Sequence, residues 1–504
     1  MASFNLWEDP WIEVESRTGL KHLSIEKTLI HAHECRAIHD TSPLVMVGIH
    51  RLLTAILQDI HTLTLERPSQ LRELWESGAF DEERISRFGE EYGHRFDLYS
   101  EEYPFYQSVE APLYPKGKDR KSVANLSERL PTGTGKAWFV RGNESQHIFC
   151  SACVAKEMLT LPAFATSGGR GYYPNPNGSK VYYVLPGGRT LFERLARSLL
   201  LVANHPPTAT KEDLAWWKRE DNVIKEGVII HSMGYLHSLT FQNRTIRFYP
   251  EEVEGGFCCS RCGKEHTLGV RDIYYKPGEH YDKEAPTWID PFVAYYPYKD
   301  RLLPVKMREG RSVWREYGSL FIPSPTEDKG LPPAILHQIY EEDEDVSYYP
   351  FQVVGTFNDK KKFIEWVIEG FEVPLEVMDD FEGAESLHKA IKFAEECEYR
   401  LKKVFDCHIP TKSDIRDTCI EEYWVRLQPE FETFVRSLTE GDFKGSLSEW
   451  LDTVEAIAVR SFDGAVESIR GASGKWIRAK VGAQGHLRNL LGKVKREFLG
   501  DTYE

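Results

Sequence analysis

Two pairs of cysteines constrain this chain more than any other feature. Cys150-Ser151-Ala152-Cys153 and Cys259-Ser260-Arg261-Cys262-Gly263 are C-x-x-C knuckles separated by about 105 residues. That spacing lets both thiolates of a pair reach one tetrahedral Zn²⁺ at about 2.3 Å. Gly263 follows the second pair, where a tight turn can need positive φ. The gap is too long for a small zinc ribbon, so one ion would clip two remote segments together. Structural zinc contributes on the order of 10 kcal/mol or more to apparent folding energy. Four thiolates leave no open coordination position, so the expected zinc site of Cys150, Cys153, Cys259 and Cys262 is structural, not catalytic. Two unrelated buried pairs, or redox-active C-x-x-C motifs, are the competing readings. Cys258 is out of register with the second pair and is expected to be a spare buried thiol.

Nine cysteines are an odd number, which suits a reducing compartment with a metal better than a secreted disulfide framework. Residues 1–8 are polar and carry no leader-like apolar run. The apolar stretch Leu44–Leu57 is too short to span a bilayer and carries His50 and Arg51. A core helix, no membrane association and a cytoplasmic location are therefore expected. With 504 residues, two to four domains are expected. The net charge of −15 argues against indiscriminate nucleic-acid binding, yet local basic patches can still meet nucleic acid inside an assembly.

The apolar pattern changes along the chain. Asn5–Val14 alternates around Pro10 and suggests an edge strand anchored by Trp7 and Trp11. Leu44–Ile60 and Leu191–Ala203 have helical spacing, and Leu239–Tyr249 alternates about Asn243-Arg244 as a hairpin would. Strands and helices intermix to about Ile368. After Pro374 only helical spacing remains, near 384–405, 416–438, 446–469 and 475–499, with Pro429 expected to kink or interrupt the second helix. The expected fold is α+β: a large mixed α/β domain over residues 1–374, stapled by the Cys₄ zinc site, then a C-terminal four-helix bundle over 375–504.

Few segments suggest catalysis. Gly133-Thr134-Gly135-Lys136 hints at a phosphate loop, but Leu130 and Ala137 break the full pattern. His39-Asp40 is half of a metal-hydrolase site and more often a plain turn pair. No protease, esterase or kinase signature set occurs, so a non-enzyme is expected. Three segments suggest nucleic acid instead. Gly168-Gly169-Arg170-Gly171-Tyr172-Tyr173 joins a permissive backbone to a cation and aromatics, which suits close approach to a phosphate or a groove. Asn358-Asp359-Lys360-Lys361-Lys362 follows an apolar run and looks like a hairpin tip. The last helix, with Arg470, Lys475, Arg478, Lys480, Arg488, Lys493, Lys495 and Arg496, inverts the overall sign of charge. An ordinary turn explains the glycine segment equally well, a solvated face explains the last helix equally well, and a solvated turn explains the lysine segment better than a nucleic-acid contact does.

In order along the chain, these features resemble the CasA family, the large subunits of type I-E CRISPR surveillance complexes (Cascade). The resemblance rests on Asn5-Leu6-Trp7…Pro10-Trp11-Ile12-Glu13-Val14, on Tyr103-Pro104-Phe105-Tyr106-Gln107, and on Trp138-Phe139-Val140-Arg141 leading into the first knuckle. The glycine loop, second knuckle, lysine segment, hairpin and terminal helices follow in the family's order. The resemblance implies that Phe139 and Arg141 belong to a loop docking on the 5′ handle of a guide RNA. It implies that Gly168, Gly169 and Gly171 enter the minor groove of a protospacer-adjacent motif, with Lys276 inserting nearby. It places Asn358, Asp359 and Lys360 at a wedge that opens the duplex; Lys360 stands where the family pattern has glutamine. The implied partners are the other Cascade subunits, the guide RNA, target double-stranded DNA, and a helicase–nuclease recruited to the opened duplex. Two alternatives remain open on the residues alone: a metal-dependent hydrolase or nuclease using His39 and Asp40, and a zinc-stapled protein-interaction scaffold.

Overall fold

The helix Pro43–His61 is apolar nearly all round, so it is stable only where every face is covered. In the computed structural model of the chain it is the core helix of a large mixed unit. It is longer than the expected apolar stretch, and by length and composition it could cross a membrane, but most of it is buried inside that unit. The structure describes residues 2–503 apart from 62–64, 113–116, 128–129, 131–145, 168–170, 207–212, 221, 231–233, 282–287, 300, 323–329, 344–347, 360–361, 376, 378–379, 410–412 and 469–473. Two compact units form. The first takes Met1–Glu309, Pro332–Asp345 and Pro350–Glu372; the second takes Gly310–Leu331, Val346–Tyr349 and Val373–Glu504. The expected cut after 374 falls next to the last of these switches, but the second unit also draws on two earlier stretches.

In chain order the strands are β1 (Ile12–Ser16), β2 (Gly19–Leu23), β3 (Cys35–Ile38), β4 (Arg120–Ser122), β5 (Phe149–Cys150), β6 (Tyr182–Pro186), β7 (Ile229–Ile230), β8 (Arg244–Cys258), β9 (Glu265–Pro277), β10 (His280–Tyr281), β11 (Tyr295–Tyr298), β12 (Arg301–Pro304), β13 (Tyr348–Asp359) and β14 (Lys362–Pro374). A small sheet has the order β2-β1-β3. The N-terminal strand is therefore central rather than an edge; Pro10 lies before it and costs no ladder bond. Trp7 packs on Phe88 and Phe96, and the buried Trp11 donates its indole N–H to Leu6 O at 2.9 Å.

The largest sheet runs β4-β9-β5, with β8 also on β9. The hairpin expected at Leu239–Tyr249 does not form. Tyr235–Leu239 is helical, and β8 then runs for 15 residues and turns only at the second knuckle, pairing Cys258 with Glu265. A second sheet has the order β14-β13-β6, with Phe351 opposite Pro186 and Val353 opposite Val184. The helix read over Leu191–Ala203 covers only Leu191–Ala196.

The second unit contains four long helices, Phe381–His408, Ser413–Ser437, Phe443–Glu467 and Gly474–Tyr503, packed on one another. An aromatic cluster sits among them: Trp314, Phe431 and Trp450 lie 4.6 to 6.4 Å apart by ring centroids. Trp450 Nε1 donates to Ala390 O at 3.0 Å. Pro429 lies inside the second helix without ending it. It is exposed, so water can satisfy the carbonyl that its missing N–H leaves free.

Burial of charge in the first unit is compensated group by group. Arg51, on the core helix, donates to Asp290 Oδ1 at 2.9 Å and lies 2.8 Å from Oδ2, both side chains almost fully buried. Asp290 also accepts from Asn177 Nδ2 and from the Phe292 amide. Burial alone would favour neutral Arg51, but Asp290 overrides it and keeps the guanidinium charged. His50 Nε2 lies 2.8 Å from Ser198 Oγ, whose own proton goes to Arg194 O, so a neutral His50 donates from Nε2.

These groups set how the fold responds to mutation and to acid. Asp290→Ala strands a buried guanidinium and is expected to cost about 3–5 kcal/mol of stability in urea unfolding, whereas a loss below about 1 kcal/mol would show the pair to be dispensable. Burial pushes His50 and His237 down to about 3, and His61 and His205 down to about 4. Unfolded imidazoles titrate near 6.5, so between about pH 6.5 and 4 the unfolded chain binds more protons than the native one. Stability is then full above pH 6.5 and falls on acidification, by about 1.4 kcal/mol per pH unit for each such imidazole. His50→Gln, whose amide can still donate to Ser198, is expected to reduce that slope between pH 7.5 and 5.5; an unchanged slope rules this account out.

Candidate metal centre and nucleic-acid interface

The two knuckles meet because three segments of backbone are laced together. Cys150 ends β5 and precedes the helix Ser151–Met158, whose first turn carries Cys153. β5 pairs with β9, Cys150 opposite Gly269, and the β8–β9 turn carries Cys259 and Cys262. Ser260 N donates to Ile148 O at 2.9 Å, and Ile148 N donates to Ser260 Oγ at 3.1 Å. Gly263 has φ +69°, where a side chain would be strained, and donates to Cys259 O.

The four Sγ atoms lie within 4.8 Å of one another. A tetrahedral ion with 2.3 Å bonds needs sulfurs about 3.8 Å apart, so the donor set fits such an ion with small side-chain adjustments. Among the described residues no other group of three or more candidate ligands comes together in this way. The four cysteines can hold a metal ion. Cys258 is exposed and donates to Gly263 O, outside the cluster.

Crowding splits the thiols. Cys259 is pushed below the usual thiol range because it accepts hydrogen bonds from Cys150 and Cys153, and from the Cys262 and Cys150 amides. Cys262 comes down to about 5, chiefly through the hydrogen bond from Cys153. Cys153 is driven up by sharing its one proton with the crowded neighbouring sulfurs and by burial. The thiolate is the form that binds metal.

A buried ion web lies beside the cluster. Arg261, inside the second knuckle, donates to Asp40 Oδ1 at 2.8 Å and to Glu157 Oε1 at 2.5 Å. Lys156 Nζ lies 3.1 Å from Asp40 Oδ2, and all four side chains are buried. Burial alone would raise Asp40, but Arg261, Lys156 and the Ser42 amide bring it below the usual carboxylate range. This corrects the hydrolase alternative. Asp40 is committed to two cations, while His39 turns to Glu13, 3.8 Å away, so the dipeptide does not form a metal pair. Sequence reasoning alone passes over Arg261, Lys156 and Glu157, although their places within and just after the knuckles are a usable signal.

Of the expected nucleic-acid residues, Phe139, Arg141, Gly168, Gly169 and Lys360 lie outside the described residues. Gly171 and Lys276 come together. Gly171 has φ +83°, and a Cβ there would meet Pro277 Cγ at 3.3 Å. The arm that follows docks on the end of β9: Tyr172 donates to Tyr275 O at 3.2 Å and stacks on its ring. Arg244 fixes the arm by donating to Tyr173 O at 2.8 Å and Thr166 O at 2.7 Å, a role hidden when Arg244 is read as a turn residue. Lys276 is paired with Asp119 at 3.0 Å, which raises its pKa and keeps it charged. On the β13–β14 hairpin, Asp359 is exposed, but Asn358 is buried within β13 at 3% exposure instead of lying at the tip. Strand pairing runs further than the apolar run suggests.

Comparison with known proteins bears on this arrangement. Residues 5–461 match the family model for CRISPR-associated protein Cse1. A CasA/Cse1 protein of Thermus thermophilus is 24% identical over 533 aligned positions, covering 99% of both chains. The crystal structure of Cse1 from Acidimicrobium ferrooxidans superposes with a TM-score of 0.78 at 20% identity, covering 99% of each chain. A chain of a structure described as a CRISPR RNA-guided surveillance complex gives a TM-score of 0.75 at 18% identity, covering 97% of this chain and all of the other. With nearly the whole chain matched in sequence and in fold, the protein belongs to the Cse1 (CasA) family of CRISPR-associated proteins.

Proposed function

We propose that the chain is the large subunit of a type I-E Cascade complex, working in the cytoplasm as a recognition subunit and not as an enzyme. In this reading it recognises the protospacer-adjacent motif in double-stranded DNA, promotes duplex opening, and recruits the helicase–nuclease. Family membership supports it, as does the fold shared with a chain of a surveillance complex. The observation that carries it is the docking of the Gly171–Tyr173 arm on β9, which sets backbone without a Cβ beside a charged lysine. Such a pair suits a minor groove, where close approach and a cation count for more than hydrogen-bond pattern.

In this reading Gly168, Gly169 and Gly171 enter the minor groove, Lys276 exchanges Asp119 for the groove, and Asp359 and Lys360 act as the wedge. Asn358 supports the wedge from within β13. Phe139 and Arg141 dock the subunit on the 5′ handle of the guide RNA by stacking and charge. Base pairing with the guide then reads the sequence, while this subunit reads the motif. The four terminal helices form a four-helix bundle. The cysteine cluster holds zinc, which clips β5 to the β8–β9 turn and has no catalytic position.

Two measurements test these readings. In a gel shift on target duplex with guide-loaded complex, at fixed salt, tight binding is expected to need both this subunit and the correct motif. Lys276→Ala is expected to weaken motif-dependent binding about tenfold and to leave scrambled-motif binding unchanged. Binding that is indifferent to the subunit or to the motif overturns the proposal. For the metal, Cys259→Ser is expected to lower zinc below one per chain by elemental analysis and to lower the melting temperature of the first unit by about 5–10 °C. Equal zinc content and equal melting temperature rule out the structural zinc site.

A further inference from the structure

A cleft of about 320 Å³ in the first unit adjoins the glycine-loop arm. Tyr173, at the end of that arm, lines it together with His280; the two rings stack at 3.7 Å with 13° between their planes. Tyr281 also lines it, held by Ser238 Oγ at 2.8 Å and by stacking on Phe241. The antiparallel β11–β12 hairpin adds Tyr296 and Arg301. Lys306 completes the set, its Nζ anchored by the carbonyls of Asn177 and Ser179 at 2.9 Å.

Two properties of this lining act together. Tyrosine rings are presented to a concave space, and Tyr296 stays 39% exposed although its strand neighbour Tyr295 is buried. Arg301 and Lys306 stand at the same cleft, and among the described residues no Asp or Glu lines it, in a chain of net charge −15. Rings alone would accept any apolar group, and cations alone any anion. Planar aromatic walls with cations beside them, around a volume of this size, select a planar base that carries a phosphate.

We infer that this cleft binds one unpaired nucleotide, its base against the tyrosine rings and its phosphate at Arg301 and Lys306. The inference deepens the nucleic-acid reading above and rests on it. The nucleotide can come from a single strand or be free in solution; the chemistry is the same.

The test uses the full-length chain in equilibrium binding at fixed low salt. The probes are a labelled thymidine hexanucleotide, a hexamer of the same charge with abasic sugars, and thymidine monophosphate. Loss of the base is expected to weaken hexamer binding roughly tenfold, the change expected of one base–aromatic stack. Tyr296→Ala and Arg301→Ala, both at exposed side chains, are expected to weaken the base-containing hexamer by a similar factor. Tyr298→Ala, an exposed tyrosine of the same hairpin outside the lining, is expected to change nothing. Binding of the monophosphate as tight as that of the hexamer assigns the cleft to a free nucleotide; tighter hexamer binding assigns it to a strand. Equal affinity for the abasic and base-containing hexamers, equal behaviour of Tyr296→Ala and Tyr298→Ala, or no binding of any probe up to millimolar concentration overturns the inference. Failure of the motif reading would instead appear as lost motif dependence in the duplex gel shift.

Discussion

Arg261 is the side chain on which the arrangement of the first unit most depends. Its guanidinium is buried between Asp40 and Glu157, and Asp40 in turn holds Lys156. Two cations and two anions thus come from three segments far apart in sequence. Each is tolerable in the interior only because the others are there, and deleting one would strand a charge at a cost of about 3–5 kcal/mol. Arg261 stands between Cys259 and Cys262, and Lys156 and Glu157 lie one turn beyond Cys153. The web that satisfies the charges therefore also brings the thiols together. A zinc tetrathiolate would carry two negative charges, and Arg261 is near enough for Cys153 to act on it electrostatically.

The same web anchors one end of a long strand pair. β9 leaves the second knuckle at Glu265 and ends at Pro277, roughly 40 Å away for an extended strand. Lys276 and the docked glycine arm occupy that far end. The cysteine end and the Lys276 end lie on the same strand pair, whose register shifts between Phe248 and Pro250 and between Glu252 and Phe257, with β4 and β5 pairing along β9.

What the sequence discloses here follows from how local the determining interactions are. The cysteine spacing and the terminal helices are encoded by short-range pattern. The charges around the cluster are not, because Asp40 is an ordinary turn residue until Arg261 arrives 221 positions later. The misread hairpin at Leu239–Tyr249 has a similar cause. Alternating apolar residues there come from a buried helix end followed by a strand, and the true turn is set by Gly263 and the knuckle. Asn358 reads as a tip residue because polar residues after an apolar run usually mark one, but strand pairing carries it into the interior. Pro429 fails to break its helix because its exposed side leaves the freed carbonyl to water.

In a chain of net charge −15, cations have acidic partners close at hand. Here many are neutralised within the fold: Arg261, Lys156 and Arg51 inside it, and Lys276 at its surface by Asp119. Lys276 differs from the buried ones in that its partner can be exchanged, since both members of the pair are partly exposed. Separating such a partly exposed pair costs little, whereas separating Arg51 from Asp290 strands a buried charge. The short run from Gly171 to Gly178 then serves two surfaces, its first residues at β9 and its later ones at the aromatic cleft. Tyr173 belongs to both, through its carbonyl to Arg244 and its ring to His280. Changes at Tyr173 would therefore couple the two surfaces, while Tyr296 and Arg301 touch only the cleft and can vary without disturbing the arm.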